Sequence, residues 1–495
     1  MNYKMIFNTT GTVIRLFGFF LLIPVVVSLA YAEWWCAVSC AIPAVISIAL
    51  GYTLILTLKP DNRYVFAKEG FIAVALSWIC ASLIGALPFV IEGSIPSYID
   101  ALFETVSGIT TTGSTILTGE QIEALPHGLQ FWRSFIQWVG GMGILVFVVA
   151  ISAKDNNRVM HVLKAEMPGP VVDKLVPKAR KTAVILYLIY MVMTAVLFLL
   201  LCLGALFGNG MNAFESLLHA FTTASTGGFG TTANSIGDFN AYTQWVIAIF
   251  MLLFGVNFNI YYLILLGKFK SAIKSRELWL YISIVLVSII LIALSLMGTG
   301  ESASKIILDS TFQVSSFVTT TGFATVNFNA NWPNLAKMIL FLLMFMGGCA
   351  GSTAGGFKVS RVLILSKKIG GDLKRALHPR TTYSVKLEGK KLNEDALSGV
   401  GSYLALCLVI MIVAMIAISF DPNIPTSVGL ETNISAVVSC FNNIGPGFGL
   451  ADVGGGCFAV YSAFSKLVLT IVMLFGRLEV YPLLLLLLPT TWSRK

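Results

Sequence analysis

One small motif occurs four times along the chain. The copies are Thr110-Thr111-Thr112-Gly113-Ser114, Ala224-Ser225-Thr226-Gly227-Gly228, Thr319-Thr320-Thr321-Gly322-Phe323 and the divergent Asn442-Asn443-Ile444-Gly445-Pro446. Each follows a short amphipathic run and lies between two long apolar runs. That frame leaves few folds open. Apolar runs of roughly 20 residues match a helix crossing about 30 Å of hydrocarbon. A membrane barrel would instead alternate over segments of about ten residues. Of the 495 residues, 56% are hydrophobic and 12% charged, where a soluble chain would be about a quarter charged. The expectation is an all-α polytopic membrane protein.

The net charge of +9 could suggest nucleic acid, but its distribution argues against such a partner. Most Lys and Arg fall at the termini and in four loops, Lys59 to Lys68, Lys154 to Lys181, Lys268 to Arg276 and Lys358 to Lys391. Basic loops mark the cytoplasmic side, so both termini are expected in the cytoplasm and membrane lipid is the surrounding partner. The first span, Thr12 to Ala32, has the look of a signal peptide, with Lys4 and Arg15 ahead and Ala30-Tyr31-Ala32 behind. A retained anchor is the preferred expectation, because a second span follows at once.

Taken in order, residues 1–69 form a leading hairpin and cytoplasmic loop. Four units follow, 70–181, 182–276, 277–391 and 392–495, each built as span, short helix, turn, span. The short helices are expected over Ser97 to Ile109, Asn212 to Thr222, Ala303 to Phe317 and Gly429 to Phe441. The returning spans are expected over Leu129 to Ile151, Tyr242 to Leu266, Asn334 to Leu365 and Ala459 to Leu488. The total is about ten crossings of bilayer length. The glycines Gly113, Gly227, Gly322 and Gly445 are 114, 95 and 123 residues apart, so the repeat is structural and has no fixed period. Asp100, Glu215, Asp309 and Glu431 precede them by 13, 12, 13 and 14 residues. They are expected at the positive end of each short helix. A helix of about 12 residues reaches about 18 Å, half a membrane, and turns its partial negative end inward.

Such an end favours a cation. Stripping water from an alkali ion takes several oxygens at once, and backbone carbonyls supply them without net charge. Aiming successive carbonyls one way needs an unusual backbone, which glycine tolerates. Unpaired backbone survives at that depth only where protein or a cavity lines it. The four turns are therefore expected to encircle one potassium-conducting pore.

Two further features suggest gating. Gly347-Gly348-Cys349-Ala350-Gly351-Ser352-Thr353-Ala354-Gly355-Gly356 interrupts the third returning span. These glycines occupy every helical face, so they point to a broken helix beneath the turns, with Lys358 closing it near the cytoplasmic side. Arg477 lies within the last span, where a charge needs a cavity or a partner. Glu479 is two residues on and a poor intrahelical partner for it.

The frame and these residues resemble the Trk/Ktr/HKT superfamily of potassium transport proteins, and the extra hairpin resembles its TrkH branch. The resemblance covers nearly the whole chain. It implies four pseudo-repeats around one central pore, homodimers in the bacterial inner membrane, and a cytosolic nucleotide-binding partner of the TrkA kind docking on the basic loops. It implies filter positions at Thr111, Thr112 and Gly113, Ser225, Thr226 and Gly227, Thr320, Thr321 and Gly322, and Asn443, Ile444 and Gly445. Glycine at all four sites resembles the potassium-selective members; sodium-favouring relatives carry one serine. It also implies an intramembrane gate at Gly347, Gly348, Gly351, Gly355, Gly356 and Lys358, and a positive plug below the filter at Arg477.

This chain shows no nucleotide motif, so NAD or ATP is expected on the partner and K+ is the transported ion. The acids of the outer segments, Glu92, Asp100, Glu104, Glu120, Glu123, Glu215, Asp238, Glu301, Asp309, Asp421, Glu431 and Asp452, are expected as a group to draw cations to the mouth, with no single one assigned a binding role. Cys440 and Cys457 flank the fourth turn and are expected as free thiols. The alternatives are a sodium/potassium or proton-coupled symporter and, from another class, an amino-acid carrier with two broken helices. An enzyme is not expected, because no nucleophile, base or metal cluster converges.

Overall fold

The computed structural model describes residues 1–59, 67–143, 179–378, 384–387, 390–392, 394–452 and 457–492. The inner part of the first returning span, most of the Lys154 to Lys181 loop, Gly454 to Gly456 and the basic tail lie outside the described residues. The leading hairpin pairs Tyr3–Ala30 with Trp34–Thr57. It is packed into the body of the protein. Phe17 meets Trp132 edge-on at 5.3 Å, and Trp132 donates to the Gly85 carbonyl at 3.0 Å.

Among the described residues, six helices are long and apolar enough to cross a membrane. They are the hairpin pair and the outgoing helix of each unit, Lys68–Glu92, Ala183–Phe207, Arg276–Leu296 and Leu397–Ser419. Exposed Leu, Ile and Val line their outer faces, as a lipid-facing surface requires. The fold is all-helical as expected, and a two-residue antiparallel pair, Lys386–Leu387 with Lys390–Lys391, is a local feature of one connection.

The returning spans differ most from expectation. The second bends by 87° between Ala241–Phe254 and Phe258–Leu265. The third stops at Leu343 and resumes as Val359–Leu377. The fourth runs Ala463–Arg477, breaks where Glu479 and Val480 have positive φ, and continues as Tyr481–Leu487. Only the third break was expected. Among the described residues, spans of bilayer length number six, or seven if the bent second return is counted as one.

The hairpin is tied at its connecting turn to the helix that starts at His127. The Glu33 carboxylate accepts from the backbone N–H of His127 at 2.9 Å and of Gly128 at 3.2 Å. It thereby caps His127–Gly141, whose own N-cap residue is Pro126 and supplies no side-chain oxygen. Replacing Glu33 by Ala should lower stability by about 1 kcal/mol, the usual worth of a cap, read as a lower thermal midpoint in detergent.

Candidate functional site: a closed ring of four backbone turns

The half-helices are Tyr98–Ile109, Ala213–Ala224, Ala303–Val318 and Leu430–Asn442. Their starts follow from capping chemistry. Ser97 accepts from Asp100 N and Ser302 from Lys305 N, while Asn212 and Glu215 form a reciprocal box. Asp309 is a correction. It lies in the second turn of its helix, where it takes the Thr325 hydroxyl at 2.9 Å, and is not at the positive end. Asp100 is also engaged, by Lys466 at 2.7 Å.

Each half-helix ends the same way. Thr111, Thr226, Thr320 and Asn443 turn left-handed, with φ of 55°, 54°, 55° and 54°. The following N–H returns to the helix. Thr112, Gly227 and Thr321 donate at 2.8 Å to Ser107, Thr222 and Ser316, and Ile444 donates at 3.0 Å to Ser439. Left-handed threonine costs on the order of 1–3 kcal/mol, so the surrounding contacts must enforce the turn. One residue further on, Gly113, Gly228, Gly322 and Gly445 have φ of 82°, 76°, 86° and 109°.

This corrects the register of the second unit. Gly228, not Gly227, matches the other three glycines, and Ser225 matches Thr110 and Thr319 rather than Thr111 and Thr320. Adjacent glycines hid the difference, because residue letters do not say which one needs positive φ. With Gly228, the offset from Glu215 becomes 13, as in the first and third units.

The four turns close on one another. A Cβ added to Gly113 would meet the Gly227 carbonyl oxygen, and one on Gly228 would meet that of Thr321. One on Gly322 would meet the Ile444 oxygen, and one on Gly445 the Thr112 oxygen. All four approaches are under 3.0 Å. The order is first to second, second to third, third to fourth and fourth back to first, a head-to-tail arrangement that closes. The Gly113 position also reaches Thr321, across the ring, at 3.6 Å. Four carbonyl oxygens thus crowd the glycines of the neighbouring turns so closely that no side chain fits at those positions. A cavity of about 230 Å³ adjoins the ring, lined by the four glycines, Arg133 and Asp452 among others.

The glycine-rich loop packs directly against this ring. Gly355 N donates to Thr320 Oγ1 at 2.6 Å, and a Cβ there would strike the Asn442 carbonyl. Gly347, Gly351, Gly356 and Lys358 all have positive φ. The loop is anchored on the bend of the second return. Cys349 N donates to Gly255 O at 2.9 Å, Phe258 N to Gly351 O at 3.0 Å, and Thr353 Oγ1 to Phe254 O at 3.3 Å. Gly348 would clash there if it had a side chain. Lys358 Nζ turns back to the Ala354 carbonyl.

Arg477 joins the two features. It donates to Thr353 O of the loop at 3.1 Å, to Gly141 O at 2.7 Å and to Gly140 O. Glu479 pairs with Arg361, whose guanidinium also lies 4.3 Å from the Tyr403 ring centroid. Cys440 and Cys457 are free thiols.

Glu104, expected among the acids that draw cations to the mouth, is instead buried behind the ring, and sequence reasoning missed its partners there. Glu104, fully buried, receives Arg133 Nε at 2.7 Å, Thr115 Oγ1 at 2.9 Å and Ile116 N at 3.0 Å. Arg133 continues to Gly230 O at 2.9 Å and stacks 3.7 Å from the centre of Phe229. Gln137, one turn on, donates to Gly227 O at 2.7 Å. The signal was present as Arg133 and Gln137, four apart on one face of a largely apolar returning span.

With this geometry in place, the chain can be compared with known proteins. A family model described as "TrkH: Cation transport protein" matches residues 39–298 and 277–493. The chain belongs to the TrkH family of cation transport proteins. The Trk system potassium uptake protein TrkH of Escherichia coli (strain K12) is 37% identical over 498 residues, covering 99% of this chain and 100% of that one. The TrkH protein of Vibrio parahaemolyticus is 34% identical over 511 residues, with 99% and 100% coverage. The crystal structure of the potassium transporter TrkH from Vibrio parahaemolyticus superposes with a TM-score of 0.86 at 31% identity, each chain covered completely. As a TrkH-family member the chain is a multi-pass membrane transport protein and not an enzyme.

Removing Arg133 would strand Glu104 as a buried unpaired charge. Arg133→Ala should cost about 3 kcal/mol, measured by chemical or thermal unfolding, and adding Glu104→Gln to it should recover part of the loss.

Proposed function

We propose that this chain carries potassium into the cell through the ring of turns. The supporting observation is the closed set of carbonyls from Thr112, Gly227, Thr321 and Ile444, each abutting a glycine of the neighbouring turn. Carbonyl dipoles replace hydration without trapping the ion. Four half-helix C-termini add partial negative charge at the same place. Relatives over the full length of the chain bear the name potassium uptake protein. The proposed ion-contacting turns comprise Thr111 to Gly113, Thr226 to Gly228 with Ser225 leading in, Thr320 to Gly322 and Asn443 to Gly445.

The loop from Gly347 to Lys358 acts as the gate. It lies against the ring, and a cavity of about 240 Å³ lined by Gly356, Phe357, Asn442 and Gly476 leaves space beside it. Arg477 holds the loop across the path and repels cations through its own charge. On this reading the chain works as a homodimer in the bacterial inner membrane, with both termini cytoplasmic. A TrkA-type cytosolic subunit binds the nucleotide and moves the gate.

The reading is tested in vesicles by comparing rubidium and sodium uptake. Rubidium should enter at least about tenfold faster, a difference of roughly 1.4 kcal/mol in the barrier, without need of a proton or sodium gradient. Equal rates would remove the selective filter, and dependence on either gradient would make the chain a symporter. Arg477→Ala should raise rubidium flux several-fold at equal protein density; unchanged flux would refute the plug.

A further inference from the structure

The four turns share one backbone path but are not stiffened alike. In the first, the Thr110 and Thr112 hydroxyls bond each other at 2.7 Å. In the third, Thr319 and Thr321 do the same at 2.8 Å. In the fourth, Asn443 Nδ2 donates to Thr112 Oγ1 at 2.8 Å and to Met473 O at 3.1 Å. The second turn lacks a hydroxyl pair, and its Thr226 hydroxyl bonds only its own backbone, donating to Ser225 O at 2.6 Å. Its matching residues are Ser225 and Gly227, and glycine has no hydroxyl. The Ser225 hydroxyl turns back to Phe221 O and Thr222 O at 2.9 and 3.1 Å.

Gln137 fills that place from the first unit. Its Nε2 donates to Gly227 O at 2.7 Å, and its Oε1 accepts from Phe229 N at 3.3 Å. The side chain is fully buried. Only this amide orientation satisfies both partners. A Cβ on residue 227 would fall within 3.0 Å of the amide, so Gly227 is small because Gln137 occupies the space. The counterparts of Gln137, three residues before the break glycines Gly255 and Gly476, are Leu252 and Met473. Neither side chain can make this pair of bonds.

We propose that Gln137 is a positioning residue for ion selectivity. It fixes the Gly227 carbonyl at the spacing that the hydroxyl pairs fix for Thr112 and Thr321. The proposal rests on the filter reading above. Discrimination between cations of similar charge needs the ring to resist collapsing around the smaller one. A turn held only by its own backbone would yield first. Gln137 therefore bears on which cation passes more than on how much passes.

The test is the ratio of rubidium to sodium uptake in vesicles holding the full chain. Thermal midpoint and elution profile serve as checks of folding. Gln137→Ala should lower the ratio about tenfold, the scale of one or two buried hydrogen bonds, while rubidium flux persists. Gln137→Ala combined with Gly227→Thr restores a hydroxyl beside Ser225 in the vacated space, and should recover most of the ratio. If the alanine variant fails to assemble, Gln137→Met, which has the residue type of Met473, should show the same fall. A single variant with the parent's ratio, or a double variant no better than the single, overturns the proposal. A parent chain that does not discriminate at all removes the filter reading itself, and this proposal with it.

Discussion

The structure depends on how closely four peptide backbones approach at the ring. Each glycine Cα faces the carbonyl oxygen of the next turn so nearly that a methyl group would lie under 3.0 Å from it. Glycine is required there twice over, for positive φ and for the missing Cβ. The same closeness lets four units of unrelated spacing act as one site. The half-helices, their caps and the left-handed residues Thr111, Thr226, Thr320 and Asn443 all bring carbonyls to that space.

The breaks in the returning spans follow from the same constraint. A ring lined by backbone inside a membrane protein needs protein around it, and backbone groups there must be satisfied internally. The second return bends at Gly255 and frees the carbonyls of Phe254 and Gly255. The third return unwinds and takes them, through Thr353 and Cys349. The fourth ends at Arg477, which satisfies carbonyls of both the first return and the loop. Each break supplies partners for another, so the glycine-rich loop and the ring form one hydrogen-bonded unit. Movement of the loop must also change what holds Gly140 and Gly141.

Much of this was legible in the residues. Apolar run length located the hairpin and the outgoing helices, and amphipathic runs located the half-helices to within a residue or two. The run of glycines marked the third break. The Gly227–Gly228 register was not legible, because φ is not written in residue type. The bends at Gly255 and Glu479 were hidden for a different reason. A single glycine or glutamate in an apolar run costs too little to predict a break, and tertiary contacts make it. Arg133, Gln137 and the burial of Glu104 escaped because no local spacing links a half-helix to the following returning helix and to the next turn.

The most direct measurement is the anomalous diffraction of rubidium soaked into crystals of the whole chain. The account predicts a peak on the axis of the ring, within bonding distance of the Thr112, Gly227, Thr321 and Ile444 carbonyl oxygens. A ring without a peak, with rubidium bound instead to side-chain carboxylates elsewhere, would contradict it.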